Sequence, residues 1–209
     1  MNSNSKTKSV SHKLPDMKSL PKNAAARLPR RRDGLVIWLT GLSGAGKSTV
    51  ASRLQRVLTK AGLPVCILDG DVVRSHLCSD LGFTELDRKE NIRRVAEVAR
   101  LMVETGVICI VALISPYRVD RQHARSRLKP GQFVEIFINA PLAVCEERDP
   151  KGHYARARAG KIKHFTGISS PYEAPENPEI ILHTDQMTVK DSVAEILHHP
   201  NLRRRLPAG

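Results

Sequence analysis

The stretch that most constrains this chain is "GLVIWLTGLSGAGKST", residues 34–49. A short, mostly apolar run leads straight into Gly41-x-x-x-x-Gly46-Lys47-Ser48, and the helical stretch "STVASRLQRVLTKAG" follows. Glycines let the backbone wrap with its N–H groups inward, so that a phosphate rests on the N-terminus of the next helix. Gly41, Leu42, Ser43, Gly44, Ala45, Gly46, Lys47, Ser48 and Thr49 are therefore the expected nucleotide-binding loop. Lys47 is suited to neutralise β/γ oxygens, and the Ser48 hydroxyl to coordinate Mg²⁺.

A phosphate loop demands a strand before it and a helix after it, and the rest of the chain keeps that rhythm. "PVCILDG" (64–70), "VICIVALI" (107–114), "FVEIFINA" (133–140) and "EIILHT" (179–184) are short, branched and nearly all apolar. Runs of this kind suit strands buried on both faces of a parallel sheet. Between them, residues 87–105 place Ile92, Val95, Ala99 and Met102 on one helical stripe that Gly106 ends. Residues 188–199 form a second amphipathic helix, with Thr188 as its N-cap. The expected architecture is α/β: a P-loop nucleotide-kinase-like parallel sheet flanked by helices, connected right-handedly.

At 209 residues and 41% apolar, the chain can bury one full core. The net charge of +13 is uneven. Residues 1–33 carry nine Lys/Arg against two acids, and Arg203, Arg204 and Arg205 add three more charges near the C-terminus. Three segments are expected: a basic, disordered extension (1–33), a P-loop kinase domain (34–200) and a basic C-terminal tail (201–209). Charge held mostly in tails does not favour a nucleic-acid partner. Cys66, Cys78, Cys109 and Cys145 show no metal-ligand spacing, which points to a reduced, cytoplasmic protein. No apolar run approaches the roughly 20 residues of a membrane span. The N-terminus lacks the apolar segment of a secretory signal, although its Arg and Ser content leaves a transit peptide open.

The second strand ends in "LDGD", delivering Asp69 and Asp71 to the edge where open α/β sheets bind ligands. Two carboxylates there can hold Mg²⁺ and accept a proton from an attacking hydroxyl, or merely cap the next helix. Further polar residues fall in "LGFTELDRKENIRR" and "LISPYRVDR", among them Phe83, Arg88, Asn91, Ser115, Tyr117 and Arg118. Residues 148–168 hold six Lys/Arg and two His, punctuated by Gly152, Gly160 and Gly167. This reads as a lid that closes over phosphates, with a solvated charge run as the alternative. Phe83 and Phe165 sit in polar loops, where they can sandwich a flat base or form small satellite clusters.

Taken in order, "GLSGAGKST", "LDGD", "DLGF…DR.ENIRR..EVA", "ISPYR.DR", "APL.VCE.RDPKG.Y..ARAG.IK.FTGI" and "YE.P..PE" resemble the adenylyl-sulfate kinase (APS kinase) family from about Gly34 to His198. The resemblance implies transfer of the γ-phosphate of ATP to the 3′-hydroxyl of adenosine 5′-phosphosulfate. It implies Mg²⁺ with ATP on Ser48 and Asp69, Lys47, Asp69, Asp71 and Ser115 at the chemistry, and Arg148 with the loop on ATP. On the acceptor side it implies Asp71, Arg74, Arg88, Asn91, Ile114, Ser115, Lys151 and His164, with Phe83 and Phe165 on the adenine. A homodimer is the expected assembly, and coupling to an ATP sulfurylase requires a separate chain. Val72 stands where the family usually has Asn, and His153 where it often has Leu. The family's serine before "PYR" is a candidate phosphoenzyme position. "LISPYRVD" offers Ser115 no evident base, so Ser115 is expected to bind substrate. Two rivals remain: another small-metabolite or nucleotide kinase on this scaffold, and a nucleic-acid-binding protein that uses its basic tails.

Overall fold

The computed structural model describes residues 33–207. The extension expected over residues 1–33 lies, apart from Asp33, outside the described residues, as do Ala208 and Gly209.

β1 (Leu35–Thr40) is buried along its whole length and runs into the loop that starts α1 (Lys47–Lys60). β2 (Val65–Asp69), the short α2 (Gly70–Ser75) and the long α3 (Glu85–Glu104) follow. Next come β3 (Ile108–Ala112), α4 (Arg118–Ser126), β4 (Phe133–Asn139), α5 (Leu142–Arg148) and α6 (His153–Arg158). β5 (Ile180–His183), α7 (Val189–His198) and α8 (Pro200–Arg203) complete the order. The five strands form one parallel sheet in the order β2-β3-β1-β4-β5. Every strand therefore points its C-terminal end to one edge, and the phosphate loop leaves from the middle of that edge.

Alternation along β1 divides the core in two. Leu35, Ile37 and Leu39 join Val50, Leu54, Val193 and Ile196 on the face covered by α1 and α7. Val36 and Trp38 join Ile92, Val95, Ala99 and Ala124 on the face covered by α3 and α4. Thr84 caps α3 in a reciprocal box with Asp87, and Thr188 caps α7 through the Asp191 amide.

Three expectations need correction. Burial on both faces holds for β1 and β3, but β2 is only half-buried throughout and β5 alternates buried with exposed residues. Both are edge strands, and helices cover the sheet's centre more fully than its margins. On α3, Met102 is 38% exposed and Val103 takes the buried place, four residues after Ala99 as helical geometry favours. The C-terminal segment is not a free basic tail. Leu202 is fully buried, and the Arg205 guanidinium donates to the carbonyls of Asp33, Gly34 and Asn201.

Candidate active site

The glycines of the phosphate loop are required by its shape. Gly41 has φ 149°, and a Cβ there would run into the Ile138 carbonyl. Gly44 has φ 74°, and its Cβ would lie 2.8 Å from the Cys145 carbonyl oxygen. A side chain at either position is strained by conformation and by contact. The loop is held from outside as well. Thr184 Oγ1 donates to the Ala45 carbonyl at 2.7 Å, and Tyr154 donates its hydroxyl to the Ser43 carbonyl at 3.0 Å. Arg148 spans the carbonyls of Gly44 (3.4 Å) and Thr184 (2.8 Å).

A cavity of about 630 Å³ opens over this loop and reaches across the C-terminal edge of the sheet. Ser43, Gly44, Gly46, Lys47, Ser48 and Thr49 line it on the loop side, with Arg148 beside them. Asp69, Asp71 and Lys151 line its middle, and Arg74, Phe83, Arg88, Asn91, Ile114 and Ser115 its far wall. Five expected residues stay off the lining. Ala45 is fully buried, Gly41 and Leu42 turn their carbonyls to Lys47, and His164 and Phe165 lie behind Arg88 and Tyr154.

Lys47 Nζ donates to the Gly41 and Leu42 carbonyls at 2.9 and 2.7 Å. Burial lowers this ammonium from its ordinary value to about 8, opposed by Cys145, Asp69 and Asp71. Asp69 divides its two oxygens. Oδ1 accepts from the Asp71 amide at 3.1 Å and caps α2, while Oδ2 accepts from the Ser48 hydroxyl at 2.6 Å. The cap that the sequence offered as the alternative is present, and the same side chain also meets Ser48. Asp71 Oδ2 pairs with the Lys151 ammonium, and both side chains remain exposed.

On the far wall, Arg74 packs over the Phe83 ring at 4.6 Å and Arg88 at 5.9 Å. Arg74 is fixed by the carbonyls of Leu81 and Gly82. Arg88 donates to the carbonyls of Phe83 (3.1 Å) and His164 (2.5 Å). Phe83 itself is 56% exposed, an open ring flanked by two cations. Asn91 is buried yet leaves Oδ1 without a hydrogen-bond partner, at a point that lines the cavity. Buried acceptors without partners are uncommon.

The two expected stacking rings are not alike. Phe165 is packed edge-on against Tyr154, with ring centroids 4.9 Å apart, and joins the margin of the α1/α7 core. It is a satellite of that core and not an isolated ring. Tyr154, in the same 148–168 stretch, supplies the packing partner that the linear pattern hides. Val72, the departure after "LDGD", is 61% exposed.

Ser115 sits at φ 40°, in the left-handed region that costs a non-glycine residue about 1–3 kcal/mol. Its hydroxyl accepts from Trp38 Nε1 at 3.1 Å and donates to the Leu113 carbonyl at 3.4 Å. No histidine or carboxylate is among its partners, so the hydroxyl lacks the adjacent base an activated nucleophile needs. Asp120 lies buried on α4, where desolvation raises its carboxyl above the usual range.

Thr184, Met187, Val189 and Ser192 also line the cavity, from the end of β5 and the start of α7. Sequence reasoning missed them. "HTDQMT" reads as a turn and a helix cap, and only its place after a fifth parallel strand marks it as part of the ligand edge.

The sequence model of the adenylylsulphate kinase family matches residues 33–183. The chain is 57% identical over 164 residues to the adenylyl-sulfate kinase of Escherichia coli (strain ATCC 8739), covering 78% of this chain and 81% of that protein. The Citrobacter koseri adenylyl-sulfate kinase is 56% identical over the same shares. Among solved structures, the Mycobacterium tuberculosis APS kinase CysC in complex with AMPPNP and APS superposes with a TM-score of 0.76 at 43% identity, covering 79% of this chain and 96% of that one. A gluconokinase from Sinorhizobium meliloti, at 20% identity and a TM-score of 0.53 over 83% of this chain and 94% of that one, shares the fold alone. With its phosphate loop, acid pair and cation-rich far wall gathered around one cavity, the chain belongs to the adenylylsulphate kinase family.

Proposed function

We infer that this chain transfers the γ-phosphoryl group of ATP to the 3′-hydroxyl of adenosine 5′-phosphosulfate, giving ADP and 3′-phosphoadenosine 5′-phosphosulfate. The observation that carries this reading is the placement of Asp71 and Lys151 between the phosphate loop and the Arg74–Phe83–Arg88 wall, within one cavity. A donor nucleotide on the loop and an acceptor nucleotide on that wall would meet at the acid pair.

In this reading the loop amides and Lys47 hold the β- and γ-phosphates. Ser48 and Asp69 offer two hard oxygens 2.6 Å apart, which fits a Mg²⁺ ion that keeps phosphate and water oxygens as its remaining ligands. Among the described residues no group of three or more His, Cys, Asp or Glu side chains gathers around a metal, as such a shared site does not require. The ion, when bound, supplies charge neutralisation on the phosphate oxygens. Asp69 is occupied by Ser48 and the α2 amide, and Asp71, exposed and holding only Lys151 through Oδ2, is the carboxylate placed to orient the acceptor hydroxyl or take its proton. Phe83 stacks on the acceptor base, Arg74, Arg88 and Lys151 face its anionic groups, and Asn91 Oδ1 accepts from a ligand donor. Ser115 positions the acceptor. Direct in-line transfer needs positioning and charge, which these groups provide.

A homodimer, a cytoplasmic location and supply of the acceptor by an ATP sulfurylase belong to the same reading. Four cysteines free of disulfides support a reducing compartment. No helix among the described residues is long and apolar enough to cross a membrane. The deciding experiment is an assay of ADP release with and without adenosine 5′-phosphosulfate, with AMP and shikimate as competing acceptors. Release that needs the sulfonucleotide upholds the reading, and equal release with AMP overturns it.

A further inference from the structure

The turn that follows β3 carries Ile114 and Ser115 to the acceptor wall in a conformation that this sequence does not favour by itself. Its anchor is a side chain that never reaches the cavity. Arg121, on α4, is 2% exposed, and its guanidinium makes three hydrogen bonds to three separate parts of the chain. Nε donates to Glu135 Oε1 on β4 at 2.7 Å, Nη1 to the Ser115 carbonyl at 2.7 Å, and Nη2 to the Glu173 carbonyl at 2.8 Å. Glu135 is buried too, and its second oxygen accepts from Arg125, which is paired with Glu179. The Thr40 hydroxyl donates to the Ile114 carbonyl at 2.8 Å and meets the Tyr172 hydroxyl at 3.0 Å. The Glu173 amide donates to the Pro116 carbonyl at 2.9 Å.

A buried charge pair is weak evidence for stability, because apolar residues of the same volume often serve as well. Its geometry here is instead specific. Only a planar fork with several fixed donors can reach a carboxylate and two carbonyls at once. We propose that Arg121, oriented by Glu135, is a positioning residue that holds the Ser115 turn in its left-handed geometry and so shapes the acceptor subsite. The proposal rests on the reading of the far wall as the acceptor side. Trp38, the chain's one tryptophan, donates to Ser115 Oγ and therefore reports the turn without any substrate.

The test uses the full chain carrying R121K, and separately R121M/E135L, which removes both charges and keeps the interior apolar. Steady-state ADP release is measured against each substrate, and Trp38 emission is recorded without ligand. In both variants the expected result is a KM for adenosine 5′-phosphosulfate raised about tenfold or more, with the KM for ATP within about twofold. A shifted Trp38 emission spectrum accompanies it. Circular dichroism and melting show whether each variant folds, and R121M/E135L serves if R121K does not. Unchanged acceptor KM, or equal rises in both KM values, in a folded variant overturns the proposal. Should the wild-type chain not use the sulfonucleotide at all, the functional reading fails and Trp38 emission of folded R121K, which keeps Glu135 opposite Trp38, decides alone: a shift upholds the clamp, and an unchanged spectrum overturns it.

Discussion

Ser48 and Asp69 meet across 2.6 Å, joining the first turn of α1 to the end of β2. Two residues 21 apart in sequence, at the start of one element and the end of the next, are thus held together at the mouth of the phosphate loop. Asp69→Asn keeps a good helix cap for α2, so folding should be little affected. With a neutral amide facing the nucleotide, kcat should fall by about 10²–10³. Steady-state ADP release together with a melting curve checks both statements.

Lys47→Ala should abolish turnover and leave a cooperatively folded protein. The wild-type lysine also predicts a pH effect. Its ammonium titrates near 8 in the folded chain, so kcat/KM for ATP should fall as pH rises through about 8 and the charge is lost. The stability effect has the opposite sign. Between about 8 and the ordinary 10.5 the unfolded chain binds more protons, so this group's contribution to stability rises with pH. Lys47→Met should therefore lose ground relative to wild type across that window, by on the order of 1–3 kcal/mol in denaturant titrations.

Phe83→Ala and Phe165→Ala should separate. The exposed Phe83 ring can stack on a base, so its loss should weaken sulfonucleotide binding by roughly 5- to 150-fold with little change in melting temperature. Phe165 packs on Tyr154, and its truncation should cost about 1–3 kcal/mol of stability. Calorimetric titration and denaturant unfolding of the two variants check the pair. A binding loss confined to Phe165→Ala would reverse the assignment.

Ser115→Ala should retain measurable turnover, with mainly a raised acceptor KM. The hydroxyl bonds to Trp38 and the Leu113 carbonyl, and neither can take a proton from it. Transfer from chiral γ-labelled ATP should then invert configuration at phosphorus. Net retention, with the alanine variant as inactive as Lys47→Ala, would show a covalent route.

Deleting residues 1–32 should leave kcat and both KM values nearly unchanged, because the cavity lining among the described residues starts at Ser43 and is complete around the phosphate loop and the acid pair. Deleting residues 200–209 should instead lower the melting temperature. It exposes the site of Leu202 and removes the Arg205 contacts to Asp33 and Gly34. Thermal melts of the two truncations give the contrast.

The parts of the molecule legible in the sequence are those with a short-range cause. β1 and the loop after it were readable because Gly41 and Gly44 satisfy a backbone shape, and α7 because Thr188 caps it. Asp69 lines the cavity because a strand end carries it there, whereas Arg88 and Asn91 reach it from the first two turns of α3. For Phe165 the pattern left base stacking and a satellite cluster open, because it does not show Tyr154 coming within 4.9 Å of the ring. Arg205 was misread because nothing in a run of three arginines tells which one finds carbonyls. The Arg121–Glu135 pair was invisible for the same reason: a charge in a strand signals burial only once its partner on another element is known.

Arg205 ties the last described turn to Asp33 and Gly34, where β1 begins. In a parallel sheet that corner is the edge opposite the phosphate loop, and β1 spans six residues, or about 20 Å, between the two. Anything joined to the chain before Asp33 or after Pro207 therefore starts behind the sheet, one strand length from the nucleotides. A tag or tether fused directly at Asp33 or Pro207 begins on that side of the sheet and not at the substrates' edge.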